Sequence, residues 1–150
     1  NEKTKINLII NLKLKKMQKY LYFRTDADED DDAASTDSAV FPLSSLRGMH
    51  PTADAAITLF FDPQIRIAGG VTDGADFTNA DTVILNVTEG TAFEVMRDLA
   101  EAFEGHPHQK PFLVVADDMT TLLDDTTRDA VYLVNNITSC GAIAIGAAYS

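Results

Sequence analysis

The segment that decides the fold class is Thr91-Ala-Phe-Glu-Val-Met-Arg-Asp-Leu-Ala-Glu-Ala-Phe-Glu104, the clearest helical pattern in a chain otherwise rich in strand patterns. Its apolar residues recur three and four positions apart, which places them on one face of a helix. Thr91 and Glu94 match the capping box, in which each side chain accepts a bond from a free backbone amide. Gly105 follows, as is common after a helix. The sequence predicts one amphipathic helix over about 92–104.

The other apolar segments are short and rich in β-branched and aromatic residues, which is typical of strands. Strands are predicted at about 19–25, 39–43, 56–61, 64–68, 82–87, 111–116, 130–137 and 142–147. A turn is predicted over Ser44–Gly48. The strands do not alternate with helices, which argues against a doubly wound parallel sheet. The predicted fold class is therefore α+β, with a mostly antiparallel β sheet or barrel-like sandwich and one helix.

Several predicted strands carry large apolar side chains at neighbouring positions and are therefore apolar on both faces. One helix can shield only part of one sheet face, so the remaining apolar surface needs a second sheet or another subunit. The sequence therefore predicts self-association into a homo-oligomer. Core packing is the alternative role for each candidate interface residue. These candidates are Tyr20, Tyr22, Phe23, Phe60 and Phe61.

The amino-acid composition argues against several classes of function. The chain has 150 residues, with 12 basic and 23 acidic side chains and a net charge of −11. Such a charge opposes binding to a phosphate backbone, so no nucleic-acid partner is predicted for the core. The single cysteine, Cys140, cannot form an intrachain disulfide. No apolar run approaches the roughly 18–20 residues of a membrane-spanning helix, so no membrane partner is predicted.

The N-terminal stretch 1–16 follows a different pattern. Residues 1–20 contain six lysines and one acid, whereas residues 21–150 contain six basic and 22 acidic residues. The stretch fits a basic arm that binds nucleic acid or an acidic neighbour, or a strand, because Ile and Leu alternate along it. A translated leader also fits, because a fresh pattern begins at Met17. Residues 17–150 are predicted to form a single α+β domain.

An acidic run, Asp26-Ala-Asp-Glu-Asp-Asp-Asp32, predicts a loop over about 25–38, because such dense like charges remain solvated. Carboxylates at positions 26, 28, 30, 32 and 37 have the spacing of a calcium-binding loop. Asp31, however, stands where such loops need a glycine, and no helix flanks the run. A solvated loop and a Ca²⁺ site are the two interpretations, and no other cofactor is predicted. The metal ligands would be Asp26, Asp28 and Asp30.

Two further groups of polar residues invite a chemical role. His106 and His108 follow the predicted helix and could contribute to a metal site, with a helix-end loop as the alternative. Asp117 and Asp118 end a buried strand, where paired carboxylates can perform acid–base work if one is desolvated. A polar turn is the alternative there. A small metal-binding module or enzyme using these four residues is the second function hypothesis.

Framework motifs occur in order along residues 17–150. They are Met17-Gln-Lys-Tyr-Leu-Tyr-Phe-Arg-Thr25, Val40-Phe-Pro-Leu-Ser-Ser-Leu-Arg-Gly48, His106-Pro-His108, Pro111-Phe-Leu-Val-Val-Ala-Asp-Asp118 and Ile137-Thr-Ser-Cys-Gly-Ala-Ile143. With the acidic insert, this arrangement resembles small virion-associated structural proteins of marine tailed bacteriophages. The family pattern starts at the methionine, so residues 1–16 depart from it.

The resemblance implies a non-enzymatic virion protein with no catalytic residues to carry over. The expected role is decoration or cementing of the capsid, or another multi-copy part of the particle. The expected partners are other copies of this chain and virion proteins such as the major capsid protein. The expected location is the virion, after synthesis in the host cytoplasm. A DNA mimic is disfavoured because six acids crowd one loop instead of spreading over a surface.

Overall fold

The computed structural model describes residues 1–7, 18–64, 80–105 and 110–145. Within them, eight strands and one main helix form the domain, and a 3-10 turn precedes β3. The elements are β1 (Tyr20–Arg24), β2 (Ser38–Pro42), the turn (Leu43–Ser45), β3 (Leu46–Ala53), β4 (Ala56–Phe61), β5 (Asp81–Val87), the main helix (Ala92–Glu104), β6 (Phe112–Asp117), β7 (Val131–Tyr132) and β8 (Ile137–Ala144).

The strands form two four-stranded sheets. The first sheet has the order β2-β1-β6-β7, and the second has the order β3-β4-β5-β8. All neighbours are antiparallel except β1 and β6, which run parallel. The predicted α+β class and its mostly antiparallel, sandwich-like sheets are confirmed, and the described strands do not close into a barrel.

Three phenylalanines join the two sheets. Phe23 on β1 and Phe41 on β2 belong to the first sheet, and Phe61 on β4 belongs to the second. The rings of Phe41 and Phe61 stack with centroids 4.2 Å apart, and Phe23 meets each of them edge-on at 6.0 Å. All three side chains are fully buried. Large rings in such contact contribute both buried apolar area and favourable ring geometry.

The main helix packs into the same core through Val95, Leu99 and Phe103, which are its buried residues. These positions lie four apart, whereas Phe93 and Ala100, which belong to the predicted apolar stripe, are exposed. The predicted bounds of the helix are confirmed. Lys19, directly before β1, donates from Nζ to the carbonyl oxygen of Phe103 at 2.7 Å. A lysine there satisfies a free carbonyl at the helix C-terminus and complements the negative end of its dipole.

The capping-box prediction is wrong in its hydrogen bonding. Thr91 is the N-cap residue, but its side chain accepts no bond from a helix amide. Its hydroxyl instead donates to the carbonyl oxygen of Thr88 at 2.6 Å, within the turn that precedes the helix. The threonine therefore stabilises the turn that leads into the helix, and Glu94 remains an exposed acid in the first turn.

Several predicted strand and turn bounds are corrected. The turn predicted over Ser44–Gly48 contains the start of β3. The strand predicted at 130–137 is divided: Val131–Tyr132 form β7 and Ile137 begins β8, because the chain turns at Asn136, whose φ is 72°. Residues 2–7 are helical, so no strand includes them. Most of the strand predicted at 64–68 lies outside the described residues.

We expect Phe41→Ala to lower the free energy of unfolding by about 3–5 kcal/mol, because it removes the ring that stacks across the two sheets. Phe93→Ala is the matched control, since Phe93 lies on the helix and is 71% exposed. That change should stay within about 0.5 kcal/mol of wild type. Urea unfolding measures both, and equal losses in the two variants would contradict this role of the aromatic core.

Candidate functional site

Two loops leave the same edge of the first sheet, because β1 and β6 are parallel neighbours and end side by side. One is the acidic loop, residues 25–37, and the other is the 118–130 loop. They are joined by a β-bridge between Asp28 and Thr121, where the Glu29 amide donates to the Thr121 carbonyl at 2.9 Å. We call these two loops the acidic end of the first sheet.

The acidic loop closes over Arg24, the last residue of β1. The guanidinium of Arg24 donates to the carbonyl oxygens of Asp26 at 3.0 Å and Asp28 at 2.5 Å. It also forms an ion pair with the Asp32 carboxylate at 3.1 Å. The arginine side chain is only 4% exposed, so the loop surrounds it. The loop is thus organised around an internal cation of the protein itself.

The calcium prediction has no convergent ligand set behind it. Asp26 uses a carboxylate oxygen to accept from the Asp28 amide at 3.0 Å, and Asp30 is exposed. Across the described parts of the chain, no group of three or more His, Cys, Asp or Glu side chains is arranged to hold a metal ion. A Ca²⁺ site at Asp26, Asp28 and Asp30 stays a prediction.

Arg24 does not neutralise the whole acidic loop. The negative charge of Asp26 raises the pKa of the Asp31 carboxyl, with smaller contributions from desolvation and from Asp37. Like charges disfavour the ionised form of a carboxyl, which is the sign observed here. A surplus of negative charge therefore remains at the acidic end.

Asp117 and Asp118 lie side by side at the end of β6, and each binds a different partner. Asp117 is buried and accepts from Arg128 at 2.5 Å and from the Met119 amide at 3.0 Å. Both oxygens of Asp118 lie 3.0 Å from the Cys140 amide nitrogen. Asp117 thus holds the 118–130 loop, and Asp118 holds strand β8 of the second sheet.

Asp118 links the two sheets, because it follows β6 of the first sheet and binds the backbone of β8 in the second. The Tyr132 hydroxyl also donates to Asp118, at 2.6 Å. Burial and the Asp118 charge raise the pKa of the Cys140 thiol to about 12, and burial and the Asp118 bond raise the pKa of Tyr132. Both groups therefore stay protonated at neutral pH.

Only two of the four residues of the catalytic or metal-binding hypothesis lie in the described part of the structure. Asp117 and Asp118 are occupied by the contacts above, whereas His106 and His108 lie outside the described residues. The alternative function that combines these four residues stays a prediction.

The outer face of the first sheet is apolar and partly exposed. Tyr22 pairs with Val40 on one neighbouring strand and with Val114 on the other, so these side chains share a face. Tyr20 likewise pairs with Phe112, and the rings of Phe112 and Tyr22 lie 5.5 Å apart. We call this surface the apolar face. Its residues are Tyr20, Tyr22, Val40, Pro42, Phe112 and Val114.

The predicted interface residues separate into three locations. Tyr20 and Tyr22 lie on the apolar face. Phe23 and Phe61 are fully buried in the core and cannot contact a partner, which corrects their assignment. Phe60 lies on the outer face of the second sheet, half-buried, with its ring stacked at 4.8 Å on His50.

The sequence-based prediction missed four residues of the apolar face, although their strands were predicted: Val40, Pro42, Phe112 and Val114. The signal was present in the alternation: Phe41 and Leu113 point into the core, so their neighbours point outward. What the single sequence could not supply was the register that places these neighbours beside Tyr20 and Tyr22.

Comparison with known proteins yields no relative: no family model, no curated protein and no solved structure matches the chain. Among the described residues, no helix is both long enough and apolar enough to cross a membrane.

We expect Asp118→Ala to lower the free energy of unfolding by about 1–3 kcal/mol, because the Cys140 amide and the Tyr132 hydroxyl lose their acceptor. Asp129→Ala removes an exposed carboxylate from the same loop and should change stability by less than about 0.5 kcal/mol. Urea unfolding of both variants is the measurement. Equal stability of the two variants would show that Asp118 does not hold the sheets together.

We expect Arg24→Met to lower the free energy of unfolding by about 1–3 kcal/mol, because partly buried loop carbonyls lose their donor. Amide hydrogen exchange in residues 25–37 should also accelerate. The control is Arg47→Met, because the Arg47–Asp62 ion pair is largely exposed and contributes at most about 1 kcal/mol. Unchanged exchange in the acidic loop of the Arg24 variant would contradict its closure on the guanidinium.

Proposed function

We propose that this chain is a non-enzymatic structural protein that self-associates through the apolar face. The observation that carries the proposal is the clustering of exposed apolar side chains on one sheet surface. Tyr20 is 43% exposed, Val40 40% and Phe112 48%, and all three lie on adjacent strands. Scattered exposed apolar residues are ordinary, whereas a contiguous apolar patch is typical of an interaction surface.

The composition of the apolar face supports a protein partner. It combines two tyrosines and a phenylalanine with aliphatic side chains and has no charged residue among its six members. Interface cores are enriched in aromatic residues and depleted of charges in the same way. Burial of this surface between proteins would remove it from water, which is the main favourable contribution to most protein association.

The virion assignment rests on the framework motifs of residues 17–150 and their resemblance to phage structural proteins. We propose capsid decoration or cementing as the role, with the major capsid protein as a further partner and the virion as the location. The structural contacts of Asp117 and Asp118 support a non-enzymatic role, because both carboxylates already hold protein groups.

We expect the wild-type chain to form oligomers at micromolar to millimolar concentration in sedimentation velocity. Val40→Lys should weaken this association at least about tenfold, because it places a charge within the apolar face. Phe93→Lys is the matched control, with the same charge introduced at an exposed apolar position on the helix.

A wild-type monomer at every concentration would overturn the proposed self-association. Dissociation by Phe93→Lys with no effect of Val40→Lys would exclude the apolar face. The virion assignment is tested separately, by mass spectrometry of purified particles of the phage that encodes the chain. We expect many copies per particle, and absence from the particles would reject that role.

A further inference from the structure

The apolar face ends at the acidic loop. Strand pairing sets Arg24 opposite Ser38 and Tyr22 opposite Val40, two residues apart, so Arg24 emerges on the same side of the sheet as Tyr22. The acidic loop closes over that guanidinium through its carbonyl oxygens and Asp32. This end of the apolar face is therefore bordered by the negative charge of residues 26–32.

The opposite end of the apolar face has the opposite sign. β1 and β6 both begin there, and Lys110 precedes β6 in the sequence. Lys110 is exposed and stands two residues before Phe112.

The two ends are far enough apart to act as separate charges. Strand β1 has five residues, which span about 13–17 Å at roughly 3.3 Å per residue. The Debye length at physiological ionic strength is about 8 Å, so charge at one end is largely screened from the other. An approaching surface therefore meets a negative end, an uncharged centre and a positive end.

We propose that the occupant of the apolar face is a second copy of this chain, packed face to face with its strands antiparallel to those of the first. In this arrangement each acidic loop lies against the Lys110 end of the other copy, and the uncharged centres meet. The inference rests on the proposed self-association and adds the partner's orientation to it.

Charge complementarity favours this copy and this orientation. In this pair a two-fold axis lies between the two faces, perpendicular to the strands. It places the apolar side chains of one copy against those of the other, and it brings oppositely charged ends together at both ends of the interface. The parallel orientation would set one acidic loop against the other, and like charges in juxtaposition are unfavourable. The apolar face therefore has the uncharged centre and the two oppositely charged ends that a symmetric antiparallel pair needs.

Disulfide trapping in the full-length chain tests the orientation. Lys110→Cys places a thiol at the positive end, and Asp30→Cys places one at the exposed surface of the acidic loop. The native Cys140 is buried and does not compete. We expect a mixture of the two variants to form the mixed disulfide at least about tenfold faster than either variant forms a disulfide with itself. Phe93→Cys mixed with Lys110→Cys measures random collision.

Each outcome separates the orientation from the self-association. Dominant Asp30–Asp30 trapping would mean parallel packing, which overturns the orientation and leaves the proposed function standing. Trapping of the mixed pair at the collision rate, in a chain that sediments as a dimer, also overturns the orientation. A wild-type chain that sediments as a monomer overturns both proposals.

Discussion

The first sheet is apolar on both of its faces, and this constraint shapes the rest of the molecule. Its inner face is covered by the second sheet through the stacked rings of Phe41 and Phe61, and by the buried stripe of the main helix. Its outer face keeps Tyr20 and Phe112 nearly half exposed. Because burial of apolar area is the main driving force of association, the outer face is the surface that the proposed self-association would remove from water.

The charged groups of the first sheet are paired at the ends of its strands instead of at the centre of its faces. The acidic loop folds around Arg24, and Asp118 accepts bonds that hold the end of the first sheet against the second. Buried or half-buried polar groups need such partners. A buried polar group without a hydrogen bond destabilises the fold by more than a typical hydrogen bond stabilises it. This arrangement leaves the centre of the outer face free of charge while concentrating negative charge at one end.

The sequence predicted those elements in which local pattern and final packing agree. The helix over 92–104 and the strand at β5 were predicted closely because their apolar periodicity persists over several turns or pairs. Strand β3 was missed, because this edge strand is mostly exposed and contains Gly48 and Pro51, which are typical of turns. Edge strands often carry such residues, since they need no second hydrogen-bonded neighbour.

The site was less predictable than the fold, because it depends on contacts between distant segments. The acidic run and Asp118 were recognised as unusual, but their partners, Arg24 and Cys140, are set by the parallel pairing of β1 with β6 and by the meeting of the two sheets. The most direct test of the account is an isotope-filtered NOE experiment between labelled and unlabelled chains. The proposed self-association predicts intermolecular contacts from the methyl groups of Val40 and Val114 to the aromatic rings of the outer face. Intermolecular contacts confined to other surfaces would contradict it.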